Sequence, residues 1–174
     1  AHQIALNLAS TTFMIMLGIS AAGTIRVGNA VGEKDNKKIR YAGFTSIGLC
    51  IVIMFLFGII FIVFKDFIPL IYINDDRVIK VVSNLLIIAA LFQIFDGMQA
   101  SSIGALRGLS DVKFPAYIIF AAYWIIGVPL GAFLTFYLKW DVYGIWSSFV
   151  FSLIFVGVLM AYRFHKLSKK FIKE

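Results

Sequence analysis

Residues Val81 to Leu106 read VVSNLLIIAALFQIFDGMQASSIGAL, an apolar run wide enough to cross a lipid bilayer, with a single carboxylate, Asp96, deep inside it. At the helical rise Asp96 lies about 16 Å from Arg107 and about 24 Å from Lys80, well within the hydrocarbon. An acid at that depth costs roughly 2.5 to 3.5 kcal/mol on insertion scales, so it faces a partner or a water-filled cavity and marks an ion or substrate path. The structural alternative is a protonated Asp hydrogen-bonded to a neighbouring helix.

The rest of the chain is of the same kind. Hydrophobic residues make up 61% and charged residues only 14%, against about 25% charged in soluble domains, and the mean hydropathy is +0.93. The chain therefore reads as an integral membrane protein. Trp140, Tyr143 and Trp146 cluster where a span should meet the headgroups and are expected to form an interfacial belt. The net charge of +7 does not point to nucleic acid, because the basic residues sit between and after apolar segments rather than along one face. Cys50 is alone inside an apolar run, with no partner for a disulfide and no ligand set for a metal, and is expected to pack. The chain begins Ala-His-Gln, without an initiator Met or a charged leader, which suggests a fragment.

Apolar windows predict five transmembrane helices, at about 4–25, 41–64, 81–106, 116–138 and 143–164. The connecting pieces are too short for a soluble domain. Their Lys and Arg content orients the bundle by the positive-inside rule. Arg26, Lys34, Lys37, Lys38, Arg40, Arg107, Lys113 and the tail residues Arg163, Lys166, Lys169, Lys170 and Lys173 fall on one side, twelve of the sixteen. Lys65, Arg77, Lys80 and Lys139 fall on the other. The first loop, the third loop and the C-terminus are thus expected in the cytoplasm, with Ala1 facing outward.

Helical geometry puts Ala89, Phe92, Gln93, Gln99, Ala100 and Ile103 within about one face of Asp96. Two amides beside the acid suit a cavity, where they would share hydrogen bonds and cation ligation, although interhelical bonding uses the same groups. In the first helix Gln3, Asn7, Ser10 and Thr11 form a polar stripe that should turn from lipid and line the outward end of a cavity. Gly18, Ser20, Ala21 and Ala22, lower down, are expected in helix packing. Gly127-Val-Pro129-Leu-Gly131 should break the fourth helix, since proline removes a backbone donor. Gly28-Asn-Ala-Val-Gly32-Glu-Lys34 lacks the spacing of a phosphate loop, and His2 and His165 lie near opposite ends with no triad around them. Nothing reads as an enzyme.

Three stretches carry a resemblance. Ala-His-Gln-Ile-Ala-Leu-Asn7, Ile25-Arg26-Val-Gly28-Asn-Ala-Val-Gly32-Glu, and Phe92-Gln-Ile-Phe-Asp96-Gly-Met-Gln99 followed by Gly104-Ala-Leu-Arg107-Gly108 resemble the multidrug and toxic compound extrusion (MATE) family, particularly its NorM-like branch. The similarity runs over most of the chain. It implies an all-α membrane protein of two six-helix lobes that exports organic cations in exchange for sodium or protons, here represented by five helices of the C-terminal lobe. By the same resemblance Asp96 matches the cation-coupling acid, with sodium as a candidate ligand. Gln3 and Asn7 match a helix start near the substrate cavity, and Asp75 and Asp76 match an acidic external loop that caps the drug site in some members. An aromatic hydroxyl that some relatives carry one turn before the acid is Phe92 here, which offers cation–π contact but no oxygen, so a proton is the competing coupling ion.

These readings converge on Asp96 alternating between a coupling cation and a positively charged, partly aromatic substrate, with Phe92, Phe95 and Tyr123 as wall residues. One carboxylate does not balance two cations at once, and that competition is the essence of antiport. The expected partners are organic cations, the lipid bilayer, and the N-terminal lobe and preceding helix of the same polypeptide. No cofactor beyond the coupling ion is expected, and the expected location is the cell's inner (plasma) membrane. The alternatives are a lipid-linked or polysaccharide flippase, whose cavity should carry several Arg or Lys residues, and a non-transporting membrane scaffold, in which Asp96 would be helix glue.

Overall fold

A computed structural model describes residues 2–72 and 75–170; Ala1 and Lys173, to which the sequence assigns sides of the membrane, lie outside them. Five helices run through the described residues: α1 (His2–Gly32), α2 (Asn36–Val63), α3 (Asp76–Gly108), α4 (Lys113–Tyr137) and α5 (Asp141–Lys170). Each is long and apolar enough to cross a membrane. The chain is an all-α, multi-pass membrane protein.

Helices α1, α3 and α5 outrun the apolar windows, because a helix continues past the hydrocarbon for as long as its polar turns and ends are satisfied. Asp35 caps α2 by accepting from the Lys38 backbone N–H at 3.0 Å, a bond that holds its carboxyl below the ordinary carboxylate range. Asp75 caps α3 by accepting from the backbone of Arg77 at 2.9 Å and of Val78 at 3.4 Å. Three tight reversals each use a left-handed residue: Lys34 (φ 55), Ser110 (φ 62) and Lys139 (φ 54).

Helix α3 is the axis of the unit and packs against α1, α2 and α5, while α4 leans mainly on α5. The close approach of α1 to α3 rests on a small residue. A methyl group at Gly104 would meet the Ser20 carbonyl oxygen at 2.7 Å. Across that contact Ser20 Oγ donates to Ala100 O at 2.7 Å and Thr24 Oγ1 donates to Gly104 O at 2.8 Å. Ser20 therefore packs as expected. Within this chain Gly18, Ala21 and Ala22 do not: they lie exposed on the opposite side of α1, because the small residues that meet α3 are Ser20 and Thr24, while Gly23 faces Ser46 of α2.

The expected break in α4 takes the form of π-helical segments, Ala121–Gly127 and Phe133–Tyr137, on either side of Val128–Ala132. The Val128 N–H reaches back to Tyr123 O, a wider turn that makes room for a proline ring and its missing donor.

Contacts between helices sort their ends. Asp111 accepts from Arg163 Nε at 2.9 Å, and Arg40 donates to His165 Nδ1 at 3.1 Å, so the first turn, the third turn and the end of α5 share one end of the bundle. Ser83 donates to Lys65 O at 3.0 Å at the other. The basic segments are thus gathered as the charge pattern required.

Candidate functional site

Asp96 projects from α3 into an open cavity of about 270 Å³ lined by four helices. His2 and Leu6 come from α1, Phe92 and Asp96 from α3, Tyr123 from α4, and Trp146, Phe149 and Leu153 from α5. The carboxylate is half-buried and is not sealed in the core. Among the described residues it takes part in no ion pair.

Aromatic rings make the wall, and their geometry is interlocked. Phe92 meets Trp146 edge-on with centroids 5.6 Å apart, and Tyr123 lies 6.3 Å from Phe149. The Trp146 indole N–H donates to His2 Nδ1 at 3.0 Å, and the two rings stand T-shaped at 5.9 Å. Tyr123 donates its hydroxyl to Gln99 Oε1 at 3.0 Å. A buried indole or phenol finds such a partner because its polar tip is otherwise desolvated at a cost. One negative charge set among π faces is complementary to a cation with apolar or aromatic bulk.

The residues expected at this site divide. Asp96 and Phe92 line the cavity together, with Tyr123 as a wall residue. Gln99 stands behind it as the acceptor for Tyr123. Gln93 is turned away from the cavity, 1% exposed, against α1. There it meets the Thr12 hydroxyl, whose one proton goes to Ala9 O at 2.8 Å. With that proton committed, the Thr12 oxygen accepts from the Gln93 amide NH₂, and the buried Nε2, otherwise without a partner, is satisfied when the amide is so turned. A helix advances about 100° per residue, so a residue three positions from Asp96 is offset enough to face another helix.

Gln3 and Asn7 lie on the free face of α1, both exposed, with Gln3 Nε2 donating to Asn7 Oδ1 at 3.5 Å and Thr11 donating to Asn7 O at 2.9 Å. Their helix reaches the Asp96 cavity along an adjacent edge, by His2 and Leu6. Asp75 and Asp76 are also apart from the cavity. Asp75 is spent on capping α3, and Asp76, twenty residues before Asp96 on the same helix, is about 30 Å away along the axis.

Trp146 corrects the expected interfacial belt: it is 2% exposed, whereas Trp140 is 49% exposed. The signal was present in the sequence, since Trp146, Val150, Leu153, Gly157, Met160 and Phe164 recur at helical spacing and form the buried stripe of α5. His2 carried no such signal. Its partner lies far along the chain, and only packing brings them together. A larger groove of about 500 Å³ lies between α2, α3 and α5, lined by Phe55, Ile59, Ile87, Leu91 and Ile94 among others. Its lining includes no titratable group, so it offers nothing to hold or exchange a charge.

The chain is similar to known proteins over nearly all its length. Residues 1–133 match the family model described as MatE. Multidrug resistance protein NorM of Burkholderia vietnamiensis is 42% identical over 170 residues, covering 95% of this chain and 37% of that protein. The probable multidrug resistance protein NorM of Xanthomonas campestris pv. campestris is 38% identical over 170 residues, covering 98% and 37%. Among solved structures, the eukaryotic MATE transporter AtDTX14 superposes with a TM-score of 0.87 at 24% identity, over 97% of this chain and 39% of that one. An inward-facing multidrug resistance MATE family transporter of the MOP superfamily gives 0.85 at 16% identity, over the same shares. The chain thus spans little more than a third of the length of these relatives.

Proposed function

Because this chain belongs to the MatE family, whose model matches its residues 1–133, we propose that it is part of a secondary active multidrug efflux transporter. In this reading it supplies five helices of the C-terminal lobe, and the whole protein exchanges organic cations for sodium or protons across the cell's inner membrane. The C-terminus and the basic end of the bundle face the cytoplasm. The observation that carries the proposal is the half-buried Asp96 opening onto an aromatic-walled cavity shared by four helices.

In the mechanism that follows, Asp96 holds the coupling cation in one state and gives it up in another. A substrate bearing positive charge and an aromatic or apolar body takes its place, attracted by the carboxylate and by the faces of Phe92, Tyr123 and Trp146. Apart from the Asp96 carboxylate, the polar groups on the wall are the Tyr123 hydroxyl, the His2 ring and the Trp146 indole N–H, of which only the hydroxyl offers an oxygen. That short supply of oxygen favours a proton over sodium. Alternating access would come from this lobe rocking against its partner around the site. A flippase for anionic headgroups is not favoured, since no Arg or Lys lines this cavity.

The test is Asp96→Asn in the full-length protein, with dye efflux driven in turn by a proton and a sodium gradient. Loss of gradient-driven efflux at normal expression is expected. Unchanged efflux would remove Asp96 from coupling, and loss of folding in place of transport would favour a purely structural role.

A further inference from the structure

We propose that the exposed side of the first turns of α2, at the basic end of the bundle, is a binding site for the headgroup of an anionic phospholipid. A groove of about 520 Å³ there is lined by Lys37, Arg40, Tyr41, Phe44 and Thr45. Their spacing places them on one side of the helix. The first turn of α2 contains no acid and two lysines, a charge arrangement that opposes the helix macrodipole and so contributes nothing to helix stability. Lys38 is balanced locally, by Glu33 at 2.7 Å and Asp35 at 3.6 Å. Lys37 and Arg40 have no carboxylate partner among the described residues.

Arg40 is held in place for such a ligand. It donates to His165 Nδ1 at 3.1 Å and lies over the Phe44 ring at 5.3 Å from the centroid. Those contacts fix the guanidinium while leaving further N–H donors for phosphate, which its planar fork suits. Lys169, one turn beyond His165 on α5, adds positive charge to the same side. Thr45 brings a hydroxyl within the groove, and Tyr41 is 75% exposed at its edge, as an interfacial aromatic should be.

What lies below the groove selects a lipid over a soluble anion. The same side of α2 continues as Leu49, Val52 and Phe55, which are 47%, 56% and 53% exposed. The basic end thus runs directly into a bare apolar strip, matching a phosphate group joined to acyl chains. A basic pocket at the membrane surface attracts anionic headgroups, whereas the choline of a zwitterionic lipid brings a cation that this groove repels.

The experiment measures phosphatidylglycerol and phosphatidylcholine bound to the full-length protein in detergent, by native mass spectrometry during lipid titration. Each basic side chain at the surface contributes roughly fivefold, so Lys37→Gln with Arg40→Gln should weaken phosphatidylglycerol binding by about 25-fold. Phosphatidylcholine binding should not change, nor should either lipid in Lys65→Gln with Lys80→Gln at the other end. The exposed Lys37→Gln alone, which leaves the Arg40 contacts intact, should cost about fivefold. Equal phosphatidylglycerol binding in wild type and Lys37→Gln, an equal loss of both lipids, or full displacement of phosphatidylglycerol by inorganic phosphate would each overturn the proposal.

Discussion

The indole N–H of Trp146 donates to Nδ1 of His2 at 3.0 Å, tying the last helix of the unit to the first beside the carboxylate of Asp96. Because Nδ1 accepts, the neutral imidazole carries its proton on Nε2. The same tryptophan packs on Phe92, so one side chain both supports the cavity wall and closes the bundle.

Two substitutions separate these roles. Trp146→Phe keeps a ring against Phe92 and removes the donor, with an expected loss of about 1 kcal/mol. Trp146→Ala opens a void and should cost about 3 to 5 kcal/mol. Thermal unfolding of the full-length protein in detergent measures both. If the two variants unfold at the same temperature, the hydrogen bond outweighs the packing.

Tyr123 offers a similar division within the wall. Its hydroxyl donates to Gln99 while its ring faces the cavity. Tyr123→Phe should keep the apparent affinity for a cationic dye within about threefold, whereas Tyr123→Ala, which loses a desolvated cation–π contact of about 2 kcal/mol, should weaken it by tenfold or more. Dye binding measured by fluorescence polarisation distinguishes them. Equal behaviour of the two variants would assign the effect to the hydroxyl.

Gln93 is expected to be dispensable for transport. Gln93→Met fills the same space without a polar group, and Thr12 keeps Ala9 O as its acceptor, so stability should be unchanged or slightly higher. Thr12→Val, in contrast, strands the buried amide and should cost about 1 to 3 kcal/mol. A folded Gln93→Met protein that fails to export dye would return Gln93 to the ion path.

The approach of α1 to α3 predicts a sharp contrast between glycines. Gly104→Ala drives a methyl group into the Ser20 backbone and should destabilise by about 1 to 3 kcal/mol. At Gly48 an added methyl group meets nothing within 4 Å, so Gly48→Ala should stay within about 0.5 kcal/mol of wild type. Unfolding midpoints for the pair provide the check, and a neutral Gly104→Ala would mean that the helices separate freely.

The five spans were legible because hydropathy and length act on each segment by itself. Polar turns beyond the hydrocarbon were not, and so α1 runs to Gly32 and α5 to Lys170. At the site, Asp96 was conspicuous through its depth, and Phe92 through its place one turn away. Gln93 was misleading, because nearness on a helical wheel does not say which neighbour stands opposite. Residue type alone points Trp146 to an interface, while its spacing with Val150 and Leu153 places it in a buried stripe.

From the sequence alone came the class of molecule, the number of crossings, the sorting of basic ends and one acid held at mid-membrane depth. Each follows from the thickness of hydrocarbon and the cost of charge within it, which apply locally to every stretch of chain. Tertiary structure alone decided that Asp96 shares a cavity with His2, Tyr123 and Trp146 while Gln93 bonds to Thr12. Those pairings join residues far apart in the chain, and they depend on the rotation and contact distance of whole helices, which small residues such as Gly104 set.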